Sequence, residues 1–284
     1  MATNAFSFKL GTFECLAVKD GDFTIPYKEI FADIPLPQVE NLLKKHGYAP
    51  GDVPIELTCL LVRTGKGLVL VDTGFGPDFE PNVGKLIQNM RAAGINLSDI
   101  SAVIHSHGHT DHVGGNVDLQ GKPNFPRAQH FIMKDDFEFW ANDQNLALLR
   151  EGKFKQAQTK TMRNCILPVM ERVNLVEQGA QILPGFKAIN APGHTPGHTA
   201  LEISSGVEKL LCIFDVVHYR FQLDQPEWVF HGDILSEIAV KTRCDISARA
   251  SGEKVLVMAC HFPFPGLGYI KENGHRSWLW QPIN

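Results

Sequence analysis

Residues 104–116, IHSHGHTDHVGGN, hold the densest group of chemistry-bearing side chains in the chain. Four of the twelve histidines fall between positions 105 and 112. Within this run His107, His109, Asp111 and His112 place four metal-donor side chains in six positions. Imidazole nitrogen together with carboxylate oxygen suits a borderline cation such as Zn2+. In a short extended stretch, residues i and i+2 point to the same side. His107 and His109 can therefore grip one ion, while Asp111 and His112, beyond a turn, can reach a second. Gly108, Gly114 and Gly115 let the backbone bend tightly around such ions. The competing account is a polar loop of hydrogen-bonded histidines. It is the weaker one, because imidazoles converging with a carboxylate are costly without a cation.

Two ions need more than four ligands, and three candidates lie downstream. His194 sits in the Gly- and Pro-rich run PGHTPGH at 192–198, Asp215 follows the apolar segment Lys209–Phe214, and His261 follows Val255–Cys260. Each is expected at the C-terminal edge of a strand, where an α/β site forms. Asp72 ends a further strand beside a Gly-rich turn. A carboxylate there can accept the free ring N–H of a ligand histidine or make an Asx-type turn contact to its own backbone. The first role is favoured.

The elements that must position these residues can be read from apolar runs and breakers. Residues 6–18 read as one strand, 20–35 as loop, and Pro37–His46 as a short helix stopped by Gly47. Leu57–Arg63 and Leu68–Val71 form a hairpin over Thr64–Gly67. Val83–Ala93 reads as a helix, Ile100–Ile104 and Gln129–Met133 as strands, and Lys134–Trp140 as the start of a helix. Residues 144–170 look helical, as a solvated insertion or as a wall beside the site. Strands resume at Ile182–Ile189, Leu201–Ser204, Lys209–Phe214 and Val255–Ala259. Buried strands alternating with helices argue for an α/β chain with a sheet-on-sheet core. No internal repeat and no Gly-, Ser- or Pro-rich linker divides residues 1–284, so one domain is expected.

Composition narrows the partners. With 44% hydrophobic and 20% charged residues the chain has material for a core and is not disordered. The net charge of −4, with no basic run, argues against nucleic acid. No apolar run approaches the ~18–20 residues of a membrane helix, and the N-terminus does not read as a secretory signal. Six scattered cysteines, with no C-x-x-C pair, read as reduced core residues of a cytoplasmic protein.

In order, VDTG at 71–74, the H-x-H-x-D-H core at 107–112, PGHTPGH, Asp215 and His261 resemble the metallo-β-lactamase fold superfamily, over most of the chain from Leu57 to Tyr269. Asp215-Val-Val-His218 and HFPFPGLGYI at 261–270 make it most similar to the branch of methyl parathion hydrolases and quorum-quenching lactonases. The resemblance implies an αββα sandwich, two mixed sheets flanked by helices. It also implies that His107, His109 and His194 hold one metal and Asp111, His112 and His261 the other, with Asp215 bridging them. Many relatives have Gly before that aspartate, where this chain has Phe214, so the local strand packing is in question.

The activity so implied is a dinuclear zinc hydrolase that uses a metal-bridging hydroxide to open a lactone or cleave a related ester. No Ser or Cys nucleophile is needed, and no G-x-S-x-G elbow occurs. Asp111 would also take up a proton, and His218 would donate a hydrogen bond or protonate the leaving group; the other account of His218 is a surface histidine after a strand. Phe23, Trp140, Phe262 and Phe264 are candidate pocket walls, with core packing as the alternative for each. His105 is expected beside the ligands or facing solvent, and His198 as a tie to a backbone group. His46, His130, His231 and His275 carry no functional expectation. The partner is a small molecule, with no nucleic acid and no membrane, and a homodimer is plausible. Competing activities are a phosphotriesterase or aryl esterase, a glyoxalase-type thioesterase and, in another class, an iron-dependent oxidoreductase of the same fold. Mn2+, Fe2+ and Co2+ occupy sites similar to those of Zn2+.

Overall fold

The computed structural model describes residues 4–77, 79–149, 155, 158 and 160–283. Fourteen strands among them form two seven-stranded sheets. The first contains β1 (Ala5–Leu10), β2 (Phe13–Pro26), β3 (Asp52–Thr64), β4 (Gly67–Val71), β5 (Ile100–Ile104), β6 (Gln129–Met133) and β7 (Val173–Val176), side by side in chain order. The second contains β8 (Gln181–Leu183), β9 (Phe186–Asn190), β10 (Thr199–Ser205), β11 (Glu208–Cys212), β12 (Leu256–Met258), β13 (Leu267–Glu272) and β14 (Trp278–Pro282), again in chain order. Both sheets are mixed. β4 to β7 pair in parallel after an antiparallel start, and β11 pairs in parallel with β12 within an otherwise antiparallel sheet.

Period-2 alternation sorts side chains between two layers of core. From β4 and β5, Val69, Val71, Ala102 and Ile104 face inward and meet Leu201, Ile203, Leu210 and Cys212 of β10 and β11. The outward-facing Leu68, Leu70 and Val103 lie under Leu86 and Met90 of α2 (Leu86–Ala92). On the second sheet, Ala200, Leu211 and Val257 lie under Cys244, Ile246 and Ala250 of the long helix α5 (Ser236–Glu253). Two more helices follow strands of the first sheet: α3 (Thr110–Val113) after β5 and α4 (Lys134–Ala141) directly after β6. α1 (Leu36–Lys45) follows β2. This is the αββα layering expected.

Three expectations need correction. Residues 6–18 are two strands, because Gly11 adopts φ +56 and reverses the chain at Gly11-Thr12. Residues 20–26 continue β2 and are not loop; a bulge between Lys19 and Gly21 turns Asp20 aside, and its carboxylate accepts the N–H groups of Phe75, Gly84 and Leu86. The strand read as Lys209–Phe214 stops at Cys212. Over residues 144–170, expected to be helical, the chain forms 3₁₀ turns at Asp143–Leu148 and Leu167–Arg172 and a π-helical turn at Met162–Ile166; part of this segment lies outside the described residues. All six cysteines are buried and free. Among the described residues, no helix is long and apolar enough to cross a membrane.

Candidate metal centre

The site forms where the C-terminal ends of β5 and β11 meet across the sandwich. The loop after β5 carries His107 and His109, and α3 carries Asp111 and His112. The second sheet contributes His194 from the loop after β9, Asp215 from beyond β11 and His261 from beyond β12. Donor atoms of His107, His109, His194 and Asp215 lie within 4.8 Å of one another. So do those of His112, Asp215, Cys260 and His261. Asp111 Oδ2 stands 3.3 Å from His112 Nε2 and 3.6 Å from His261 Nε2.

Asp215 belongs to both groups, and its two oxygens divide between them. Oδ2 faces His194 Nε2 at 3.2 Å and His107 Nε2 at 3.8 Å, while Oδ1 faces His112 Nε2 at 3.1 Å and His261 Nε2 at 3.3 Å. Burial alone would push its carboxyl up, but the surrounding imidazoles, His112 foremost, hold it well below the usual carboxylate range. Asp215 does not end a strand, as the sequence suggested. It sits in a single turn, Phe214–Val216, entered through Phe214 at φ +43. That is the conformation for which glycine is usual. Phe214 holds it with its ring buried in the inter-sheet core, so the loss of glycine is offset by packing.

Four of the five candidate ligand rings, all but His109, are oriented from behind. Asp72 Oδ2 accepts His112 Nδ1–H at 2.8 Å and the Ser106 hydroxyl at 2.8 Å; the Ser106 oxygen in turn lies 3.0 Å from His107 Nδ1. Asp233 Oδ1 accepts His194 Nδ1–H at 3.1 Å, and the carbonyl of Glu56 accepts His261 Nδ1–H at 2.9 Å. These bonds place the protons on Nδ1 and turn the Nε2 lone pairs inward. Nε2 of His107 and of His112 are then fully buried and have no hydrogen-bond partner. Two orphaned, convergent lone pairs beside carboxylates are the environment that a divalent cation satisfies and that a neutral polar loop leaves costly. The donor set fits two such ions.

Behind His194 lies a buried cation. Arg243 of α5 is fully enclosed and donates to the carbonyls of Val216, Pro226 and Trp228 and to Asp233 Oδ2, each at 2.9–3.0 Å. Burial raises the Asp233 carboxyl, but the His194 hydrogen bond and the Arg243 charge outweigh it and leave it below its ordinary value. Ser106, Asp136, Asp233 and Arg243 were not anticipated from the sequence, where no motif marks them.

Other sequence expectations fall as follows. His198 donates from Nδ1 to the Ala191 carbonyl at 2.9 Å, and its Nε2 accepts the Asp215 N–H at 3.3 Å. His105 does not face solvent. It is buried outside both donor groups, with Nε2 3.3 Å from His130 Nδ1, so His130 serves as its buried partner. His218 is no surface residue. It is buried, with Nε2 3.1 Å from Asp215 Oδ2 and its ring stacked 3.7 Å from Phe230.

A cavity of about 400 Å³ opens onto the donors. Phe23, Ile25 and Ile55 of the long β2–β3 arm line it, together with Phe230, His231, Ile234 and His218. Of the four aromatic residues expected there, only Phe23 is among its walls. Trp140 packs behind His109, ring centroids 5.1 Å apart, against Gly108. Phe262 is buried under Trp280 on the outer core, and Phe264 packs on the inter-sheet core with its N–H on Glu56. His231, given no role from the sequence, does line the cavity.

Comparison with known proteins agrees with this geometry. The family model of the metallo-beta-lactamase superfamily matches residues 57–239. A curated N-acyl homoserine lactonase of Bacillus thuringiensis is 26% identical over 166 residues, 52% of this chain and 58% of that protein; the matched stretch thus spans under two thirds of the relative. One from Bacillus cereus is 23% identical over 75% of this chain and 84% of its own length. Among solved structures, AidC, described as a dizinc quorum-quenching lactonase in complex with a product, superposes with a TM-score of 0.92 at 28% identity, covering 100% of this chain and 99% of that one. A hydrolase named AbOPH in the beta lactamase superfamily gives 0.91 at 30% identity with the same coverage. With the ordered motifs, the two-sheet sandwich and a family match over more than half its length, the chain belongs to the metallo-beta-lactamase superfamily.

Proposed function

We propose that this protein is a hydrolase dependent on two divalent cations, Zn2+ being the best fit to its nitrogen and oxygen donors, that opens a lactone or cleaves a related ester. The observation that carries the reading is the division of Asp215, one oxygen toward each donor group. Support also comes from AidC, which carries two zinc ions by its description and shares the whole fold. His107, His109 and His194 would hold one ion, Asp111, His112 and His261 the other, and Asp215 both. Bound there, the pair would supply Lewis acidity toward a carbonyl oxygen and lower the pKa of water.

The chain's own residues supply the rest. Asp72, Ser106, Asp233 and the Glu56 carbonyl hold the imidazoles of His112, His107, His194 and His261 in the tautomer that presents Nε2. His218 stands within hydrogen-bond reach of Asp215 Oδ2 at the cavity floor, placed to hold a substrate oxygen or return a proton to the leaving alkoxide. Asp111, partly open to the cavity, is the carboxylate placed to take a proton from the collapsing intermediate. The apolar walls Phe23, Ile25, Ile55 and Phe230 suit a hydrocarbon substituent on the substrate and exclude water from the polar floor.

The test is metal content per chain together with initial rates on a medium- and a long-chain acyl homoserine lactone, an aromatic lactone, a phosphotriester and a glutathione thioester. About two ions per chain and lactone turnover well above the rest are expected. Two ions with triester or thioester preferred would move the substrate and keep the chemistry. A single iron, inert to the panel, would sink the proposal.

A further inference from the structure

Helix α4 supplies none of the donors, yet it touches both loops that supply the first group. Asp136, in its first turn, is completely buried. Its Oδ1 accepts the backbone N–H of Gly108 at 2.7 Å, the residue between His107 and His109. Its Oδ2 accepts the hydroxyl of Thr195, the residue after His194. One loop leaves the first sheet after β5, and the other leaves the second sheet after β9. Both approach so closely that a side chain would not fit: a Cβ on Gly108 would stand 2.4 Å from Trp140 Cδ1, and one on Gly197 would stand 2.1 Å from the Asp136 nitrogen. Asp72, Ser106 and Asp233 orient individual rings. Asp136 instead ties the backbone of one loop to a side chain of the other.

The distance so held matters to a cation. His109 Nδ1 and His194 Nε2 lie 2.9 Å apart. A tetrahedral ion with bonds of about 2.0–2.1 Å needs two nitrogens roughly 3.3 Å apart, so an ångström of drift between the loops would remove a ligand. We propose that Asp136 is a positioning residue that sets the separation of the His107–His109 loop from the His194 loop, and so the affinity of the first donor group for its ion, leaving the second group untouched. The inference rests on the two-ion reading above.

The experiment titrates metal-free wild type, Asp136→Ala, Asp136→Asn and Thr195→Val with Zn2+ against a chromophoric chelator. The first-group step is identified as the one lost in His194→Ala, and thermal unfolding of each metal-free protein is measured alongside. Asp136→Ala is expected to weaken that step about 10–100-fold and to leave the other within about threefold. Asp136→Asn, which still accepts from Gly108 and can donate its amide to Thr195, should recover most of the affinity. Thr195→Val, which removes one arm without touching Asp136, should weaken the same step by less. An Asp136→Ala protein with both affinities unchanged would overturn the inference. So would equal loss at both steps with a lower metal-free Tm, which is the signature of a general structural role. If Asp136→Ala does not fold, an unaltered first step in Thr195→Val overturns it. Wild type binding fewer than two ions is a separate result that removes the two-ion reading itself.

Discussion

Replacing Arg243 by Met asks whether buried charge holds the wall behind His194. The guanidinium is wholly excluded from solvent, and its N–H groups serve the Val216, Pro226 and Trp228 carbonyls and Asp233 Oδ2. Methionine keeps much of the volume and none of the donors. Asp233 then stays buried with only the His194 ring and the Phe230 N–H opposing its charge. Removing one partner of a buried ion pair costs about 3–5 kcal/mol. The three carbonyls left short of a donor together add on the order of 1 kcal/mol, because water can enter the space the guanidinium vacates. We expect a loss of about 4–6 kcal/mol, a large part of a typical stability of about 5–15 kcal/mol. With an unfolding entropy on the order of 0.6 kcal/mol per kelvin for a chain of this length, Tm falls by roughly 7–10 °C. Thermal unfolding of the metal-free protein at pH 7.5 measures this. Adding Asp233→Asn removes the stranded charge and should return roughly 2 kcal/mol. A fall in Tm below about 2 °C would refute the argument. So would a double variant as unstable as the sum of its parts, since Asp233 would then not be the charge that Arg243 compensates.

Three further outcomes follow from the geometry. His218→Ala should retain both ions and lose roughly 10²–10³-fold in kcat; an unchanged kcat at full metal content removes His218 from the mechanism. Burial, then the charge of Arg172, lowers the His130 pKa to about 4, whereas the unfolded residue titrates near 6.5. The stability that neutral His130 contributes is complete above pH 6.5 and lost as pH falls toward 4. His130→Phe should therefore narrow the gap in unfolding free energy between pH 7.5 and 5 by about 2 kcal/mol, and an unchanged gap in urea titrations would contradict this. Phe214→Gly relieves a left-handed backbone worth about 1–2 kcal/mol but forfeits a buried ring worth about 3–5 kcal/mol, so it should destabilise by about 1–4 kcal/mol; a stabilised variant would show that backbone strain outweighs the packing of the ring.

What the sequence made legible depended on distance along the chain. His107, His109, Asp111 and His112 announce themselves because four donors crowd six positions. His194, Asp215 and His261 were candidates as donor residues following predicted strands, and only the family motifs divided them between two ions. Asp136 and Asp233 were silent, since the site loops they hold lie 28 to 59 residues away and nothing local marks a carboxylate that will be buried. The strand ending in Ile104 was readable as a short apolar run, and β6 likewise. Helix α5 was not singled out, because its buried face includes Arg243 and Ser247 beside Ala239 and Ala250, which mutes the apolar periodicity. The pocket failed for a related reason. Phe23 and Phe262 are equally apolar, and only the folded chain puts the first beside the donors and the second in the outer core.

Each sheet is drawn from one unbroken stretch of chain, residues 5–176 and then 181–282. Synthesis therefore delivers the molecule in two instalments. When the first sheet is complete, His107, His109, Asp111 and His112 already exist, while His194, Asp215 and His261 are still unmade. A nascent chain holds half of each donor group, and firm capture of either ion waits for the second half to dock. Chain cleavage between Val176 and Gln181 would leave two fragments, each with a whole sheet and neither with a whole centre. Recovery of metal binding on mixing them would then report the reunion of the halves, the logic of a split-protein sensor.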